Sequence, residues 1–138
     1  MKKLLISLTC FIVIISCFCN TAFAEDEYGT SVCANNVVST STVFNIKDNI
    51  AMVNVGYIGY EGITTHAVIT VKMQKKFLLF FWQDIDGASW TDYATGVSYF
   101  NSHSIETTVG THRVIVEYTI YGSGGAADVI TEEIEYKN

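Results

Sequence analysis

The sequence predicts an all-β protein, an antiparallel β-sandwich of about seven short strands. Three observations lead there. Beyond residue 36, apolar residues recur at alternate positions along most runs; turn-forming residues separate those runs at short intervals; and no stretch of useful length carries the helical spacing. An up-and-down barrel is the alternative arrangement of the same strands.

The first strand is read from Val38, Thr40, Thr42, Phe44 and Ile46, which share one face, and Lys47-Asp48-Asn49 makes the turn after it. A second run, Ile50 to Tyr60, is rich in Val, Ile and Tyr and stops at Glu61-Gly62. In the third, Ala67, Ile69, Val71 and Met73 face inward while His66, Thr70, Lys72 and Gln74 face out. Phe77-Leu78-Leu79-Phe80-Phe81-Trp82 is an unbroken apolar run, followed by Asp84-Ile85-Asp86-Gly87 with its Asp-Gly hairpin-turn signal. Trp90 to Phe100 is a mixed aromatic stretch that bends at Gly96. Ile105, Thr107 and Val109 alternate up to Gly110, and His112, Val114, Val116, Tyr118 and Ile120 form a long inward face. Gly122-Ser123-Gly124-Gly125 is a hairpin loop, and Ile130, Ile134 and Tyr136 belong to the last strand. Ile69, Val71, Val114, Val116 and Tyr118 are the expected centre of the core. Without a single proline, the edge strands must be guarded by charge, with Lys75-Lys76 and Glu132, Glu133 and Glu135 as the expected guards.

Ahead of this domain lies a targeting segment. Lys2 and Lys3 precede an apolar run from Leu4 to Phe18, and Ala22-Phe23-Ala24 supplies a small-residue cleavage site before Glu25. The run is shorter than the ~20 residues that cross a bilayer, so residues 1–24 are read as a signal peptide and the protein as secreted, with no transmembrane segment. Ile14-Ile15-Ser16-Cys17 resembles a lipobox, which makes a lipoprotein anchored through Cys17 the alternative. Residues 25–35 are polar and read as a flexible leader; residues 36–138 are the sandwich. After cleavage only Cys33 remains, so no internal disulfide can staple the fold.

The exported form keeps six basic residues (Lys47, Lys72, Lys75, Lys76, Arg113, Lys137) against fourteen acidic ones, a net charge of −8. That balance argues against nucleic acid and against anionic lipid surfaces as partners.

Gly110-Thr111-His112-Arg113-Val114-Ile115-Val116, leading through a glycine loop to Thr131-Glu132-Glu133-Ile134, resembles the closing hairpin of immunoglobulin-like or fibronectin type III-like sandwiches. With Val71-Lys72-Met73-Gln74-Lys75-Lys76 before an aromatic stretch, the chain is similar to small secreted, largely uncharacterised β-sandwich proteins of clostridia-like Gram-positive bacteria. The resemblance implies an immunoglobulin-like fold and an extracellular address, and it carries no catalytic motif. His112 stands where such hairpins usually place a tyrosine.

The strongest candidate for function is the block Phe77, Leu78, Leu79, Phe80, Phe81 and Trp82, with Trp90, Tyr93, Tyr99 and Phe100 nearby. Alternation sends consecutive side chains to opposite faces, so a six-residue apolar run cannot enter one core entirely, and an exposed patch is expected unless a turn near Lys76-Phe77 changes the sidedness and a loop covers the remainder. Such a patch suits a protein contact, a membrane-touching tip or a platform for sugar rings. Asp84, Asp86 and Asp92 suggest the start of a calcium loop but lack its full spacing and its bidentate Glu, and an Asp-Gly turn accounts for them. His66, His103 and His112 have no mutual ligand spacing; His112 falls in register with core positions and reads as a packed, hydrogen-bonded residue. No metal or other cofactor is expected. There is no Gly-x-Ser-x-Gly elbow and no helix-opening glycine loop for phosphate. The sequence thus points to a non-enzymatic exported binding or interaction module, with protein, carbohydrate or a second copy of itself as partner. The runner-up is an extracellular carbohydrate-binding module in which Trp82, Trp90 or Tyr93 presents flat, exposed rings.

Overall fold

The computed structural model describes residues 34–78 and 80–137, and they form seven antiparallel strands and no helix. These are β1 (Val37–Lys47), β2 (Ile50–Gly59), β3 (Thr64–Phe77), β4 (Phe81–Thr95), β5 (Ser98–Glu106), β6 (Thr111–Gly122) and β7 (Asp128–Lys137). Three make one sheet in the order β1-β2-β5, and four make the other in the order β4-β3-β6-β7. The two pack face to face as a β-sandwich. In constant-type immunoglobulin domains the fourth strand pairs with the fifth; here β4 pairs with β3, which gives three strands against four. Residues 1–24, read above as a signal peptide, together with Cys17, Cys33 and most of residues 25–35, lie outside the described residues.

Alternation builds the core as the pattern requires. Ile69, Val71, Val114, Val116 and Tyr118 are fully buried, as are Val53, Met73 and Ile120. Between the sheets, the Phe44 ring meets Tyr136 edge-on at 6.1 Å, and the Tyr118 hydroxyl donates to the Ser41 carbonyl at 2.9 Å. Asp48 and Asn49 both take positive φ, 52° and 62°, which closes the β1–β2 hairpin as a two-residue turn of the I′ kind.

Four expectations are corrected. Val38 does not share the inward face: a bulge between Val37 and Ser39 turns it outward and buries Val37 in its place. Asp86-Gly87 is no hairpin turn. Lys72 pairs with Ser89 and Gln74 with Asp84, so residues 85–88 oppose Met73 alone, and Gly87 (φ 75°) supplies the backbone for a long bulge inside β4. A positive-φ residue serves a bulge as well as a turn; here the bulge brings Ala88 into the core and packs Ile85 against it. The apolar run is accordingly not one strand. It is cut at residues 78–80 by the β3–β4 turn, with Phe77 pairing across to Phe81. Finally, Lys75 guards no edge, since there β3 lies between β4 and β6, whereas Lys76, past the last β3–β6 pair, lies on an unpaired flank of the hairpin; Glu132, Glu133 and Glu135 lie on an edge strand, β7.

His112 is fully buried, where its Nδ1–H donates to the Gly110 carbonyl at 2.9 Å and its Nε2 takes the Thr107 hydroxyl at 2.8 Å. Burial pushes its pKa below the ordinary imidazole value and the Lys75 charge adds to the fall, against a smaller rise from the Gly110 hydrogen bond. The unfolded chain therefore takes up this proton first, and the neutral ring's contribution is complete above about pH 6.5 and lost as the pH falls below it. Melting temperatures measured from pH 8 to pH 4 are expected to decline below that point, and a His112→Gln variant to decline less steeply.

Candidate functional site

The β3–β4 hairpin reaches past its neighbour. On its other side β3 pairs with β6 only as far as Lys75 with His112, so Lys76 and Phe77 pair with Trp82 and Phe81 alone. At the turn Leu78 occupies the left-handed region at φ 54°, a conformation that costs a branched side chain energy. The result is an apolar apex: Phe77, Leu78, Phe80 and Phe81 are 57%, 71%, 79% and 63% exposed. Leu79 lies outside the described residues.

Below the apex is a layer of a different character. Trp82 is half-buried, with the Lys76 ammonium 5.2 Å and the Arg113 guanidinium carbon 4.4 Å from its ring centroid, a cation–π pair on one indole. Arg113 is held in place by donating from Nε to Gln74 and from Nη1 to Glu133, each at 2.7 Å. Lys75 donates to the Thr108 hydroxyl, which draws the β5–β6 loop and its exposed Val109 toward the hairpin. Lys72 pairs with Asp84 at 2.8 Å, and that hydrogen bond, with another from Gln74, holds the Asp84 carboxyl below its usual range.

The remaining sequence candidates do not join this apex. Trp90 packs against the core and stacks on His103, with ring centroids 4.9 Å apart, and Tyr93 stands exposed on the outer face of the four-stranded sheet. Trp82, Trp90 and Tyr93 therefore present no common flat platform. Asp84 and Asp92 are likewise apart, and among the described residues no group of three or more His, Cys, Asp or Glu side chains is placed to hold a metal.

Sequence reasoning missed two features. The first is a buried polar cluster where the edges of β4 and β5 meet: Asp92 accepts from His103 Nε2 at 2.9 Å and from Asn101 at 3.1 Å. Burial raises the pKa of neighbouring Tyr99, helped by the Asp92 charge. An aspartate–histidine pair is half of a nucleophile-activating arrangement, but His103 makes no hydrogen bond to a hydroxyl or thiol among the described residues. The cluster closes the side of the sandwich. Its only sequence signal was that His103 and Asn101 fall on one face of β5. The second is on the outer face of the three-stranded sheet, where the Phe100 ring lies over Gly56, its cross-strand partner, so closely that a Cβ there would sit 2.3 Å from the ring. Beside it is a shallow cavity of about 400 Å³ lined by Ser41, Asn54, Asn101 and Ser102.

No protein-family model matches the chain, and no curated protein is similar enough in sequence to match it. Among solved structures, the chain is similar to that of a Bordetella pertussis protein described as ApaA, at 10% sequence identity and a TM-score of 0.49, over 75% of this chain and 95% of that one.

Proposed function

We propose that this chain is an exported, non-enzymatic binding module whose contact surface is the apex of the β3–β4 hairpin. The observation that carries the reading is the exposure of Phe77, Leu78, Phe80 and Phe81 together at one extremity. Each such side chain gains about 1.5–3 kcal/mol when fully buried, and a contiguous apolar patch of this size on a small domain marks an interaction site. The signal-like segment 1–24 supports a contact outside the cytoplasm. The test is retention of the exported form on washed cells of the producing bacterium. The Phe80→Ser/Phe81→Ser variant should melt like the parent, since exposed substitutions move stability by only about 0.5 kcal/mol, yet be released into the medium. Equal retention of the two forms would refute the reading, and so would a loss of several kcal/mol, which would make the apex core.

One observation favours a second reading, carbohydrate binding. Phe100 is 67% exposed, pinned over Gly56, and flanked by serine and asparagine side chains that can exchange hydrogen bonds with sugar hydroxyls. Adsorption to insoluble polysaccharide that is lost in Phe100→Ala and kept in Phe80→Ser/Phe81→Ser would favour it over the apex.

A further inference from the structure

Resting on the reading that the apex is the contact surface, we infer that its partner is the surface of a phospholipid bilayer: Phe77, Leu78, Phe80 and Phe81 enter the acyl boundary while Lys75 and Lys76 meet the headgroup phosphates.

The layers of the hairpin come in the order a bilayer interface requires. Moving down the hairpin from its end, one passes large apolar side chains, then an indole flanked by an ammonium and a guanidinium, then the paired polar groups Gln74, Lys72 and Asp84. A bilayer interface presents the matching sequence of environments, with hydrocarbon first, then the headgroup level where Trp, Lys and Arg concentrate, then water.

Size and shape agree with this. With three phenylalanines and one leucine exposed to this degree, the apex offers on the order of 500 Å² of apolar surface, below the roughly 800 Å² that each partner of a stable protein pair buries. It is also the protruding end of a hairpin that outruns its neighbouring strand, and no concave counterpart lies beside it among the described residues of the apex. A deformable lipid surface accepts a small convex wedge.

So does the placement of charge. All six Lys and Arg of the described residues lie in the half of the sandwich that carries the apex, at the ends of β1, β3 and β7 and the start of β6. Carboxylates share that half, and Asp84, Glu133 and Glu135 pair with Lys72, Arg113 and Lys137. Lys75 and Lys76, next to the apex, have no carboxylate partner among the described residues. The net charge of −8 had argued against anionic lipid, but it averages over the molecule and a headgroup layer meets only one end. The apolar wedge supplies most of the affinity and the two lysines supply a preference for anionic lipid.

The experiment is cosedimentation of the exported form, which lacks the apolar segment 4–18, with vesicles of phosphatidylcholine alone or with 30% phosphatidylglycerol at low salt. Binding is expected to both compositions and to be tighter with phosphatidylglycerol, with a blue shift of tryptophan emission. Phe80→Ser/Phe81→Ser should weaken binding at least tenfold on both; Lys75→Gln/Lys76→Gln should weaken it roughly fivefold per lysine, on phosphatidylglycerol only. No binding of the parent to either vesicle, or undiminished binding of the phenylalanine variant, overturns the inference. If cell retention depends on the apex while vesicles are ignored, the partner is a macromolecule and only the lipid assignment falls. If sedimentation equilibrium shows a dimer that the phenylalanine variant dissolves while vesicles are ignored, the occupant is a second copy. If the apex affects none of these, the contact-surface reading falls with it.

Discussion

Truncating Tyr118 to alanine is expected to cost about 4 kcal/mol, within the range for deleting a buried aromatic ring from a core. Tyr118 is fully buried near the middle of β6, and its ring spans the space between the sheets to reach β1. There its hydroxyl meets the Thr42 hydroxyl at 2.7 Å and donates to the Ser41 carbonyl at 2.9 Å. One side chain thus supplies both packing volume and a polar tie between the two sheets. A Tyr118→Phe variant separates the two contributions. It keeps the volume and loses the hydroxyl, for about 1–2 kcal/mol, because the partners on β1 lose a buried hydrogen bond. Chemical denaturation of the three forms gives the comparison; a loss below 2 kcal/mol for the alanine form would show that the sheets close up over the gap.

The same residue contributes to the loss of stability at alkaline pH. Burial, the largest cause, pushes the Tyr118 hydroxyl up to about 12, with the Glu132 charge adding to it and the Thr42 hydrogen bond opposing it. In the unfolded chain a tyrosine ionises near 10. Above that the unfolded state releases a proton that the folded state retains, so the neutral phenol stabilises the fold fully below about pH 10 and progressively less as the pH rises toward 12. Tyr118→Phe should flatten that decline.

Much of this core was legible because β6 is so regular. His112, Val114, Val116, Tyr118 and Ile120 alternate without interruption, and such a strand has one face to bury. The Asp48-Asn49 turn was legible too, since both residues tolerate the positive φ that a two-residue hairpin demands. The β3–β4 turn was legible only as an alternative placed near Lys76-Phe77. It is built at residues 78–80 from apolar side chains, without Gly, Asn or Pro, while the conventional signal at Asp86-Gly87 was absorbed into a bulge. Local chemistry states that the backbone can turn at Gly87, and only the pairing of both flanks with β3 decides that it bulges. The surroundings of the apex were equally hidden. Lys75 and Lys76 adjoin Phe77 in sequence, but Arg113 is distant, and antiparallel register is what brings it beneath Phe77 and Phe81.

Asp128→Ala is expected to cost about 3 kcal/mol and to loosen the start of β1 before the rest of the domain. Asp128 is buried at the first position of β7, where one carboxylate oxygen accepts the Asn35 amide at 3.1 Å and the other the Asn36 amide at 2.6 Å. Asn36, fully buried, then donates through its side chain to the Ala126 carbonyl at 2.8 Å and accepts the Gly124 amide at 3.1 Å, while its own carbonyl takes the Thr64 hydroxyl. Three segments distant in sequence are therefore joined at the end of the sandwich opposite the apex. Hydrogen bonds to a charged group contribute about 1.5–3 kcal/mol each, and alanine would strand two amides, one of them wholly out of reach of water. Asp128→Asn keeps an acceptor for one amide and should lose about half as much. Amide hydrogen exchange locates the effect: Asn36 and the first residues of β1 should lose protection in Asp128→Ala, while Val114 and Val116 keep theirs relative to the lowered global stability. Uniform loss across both strands would mean that the carboxylate supports the whole sandwich and does not serve as a local clamp on β1.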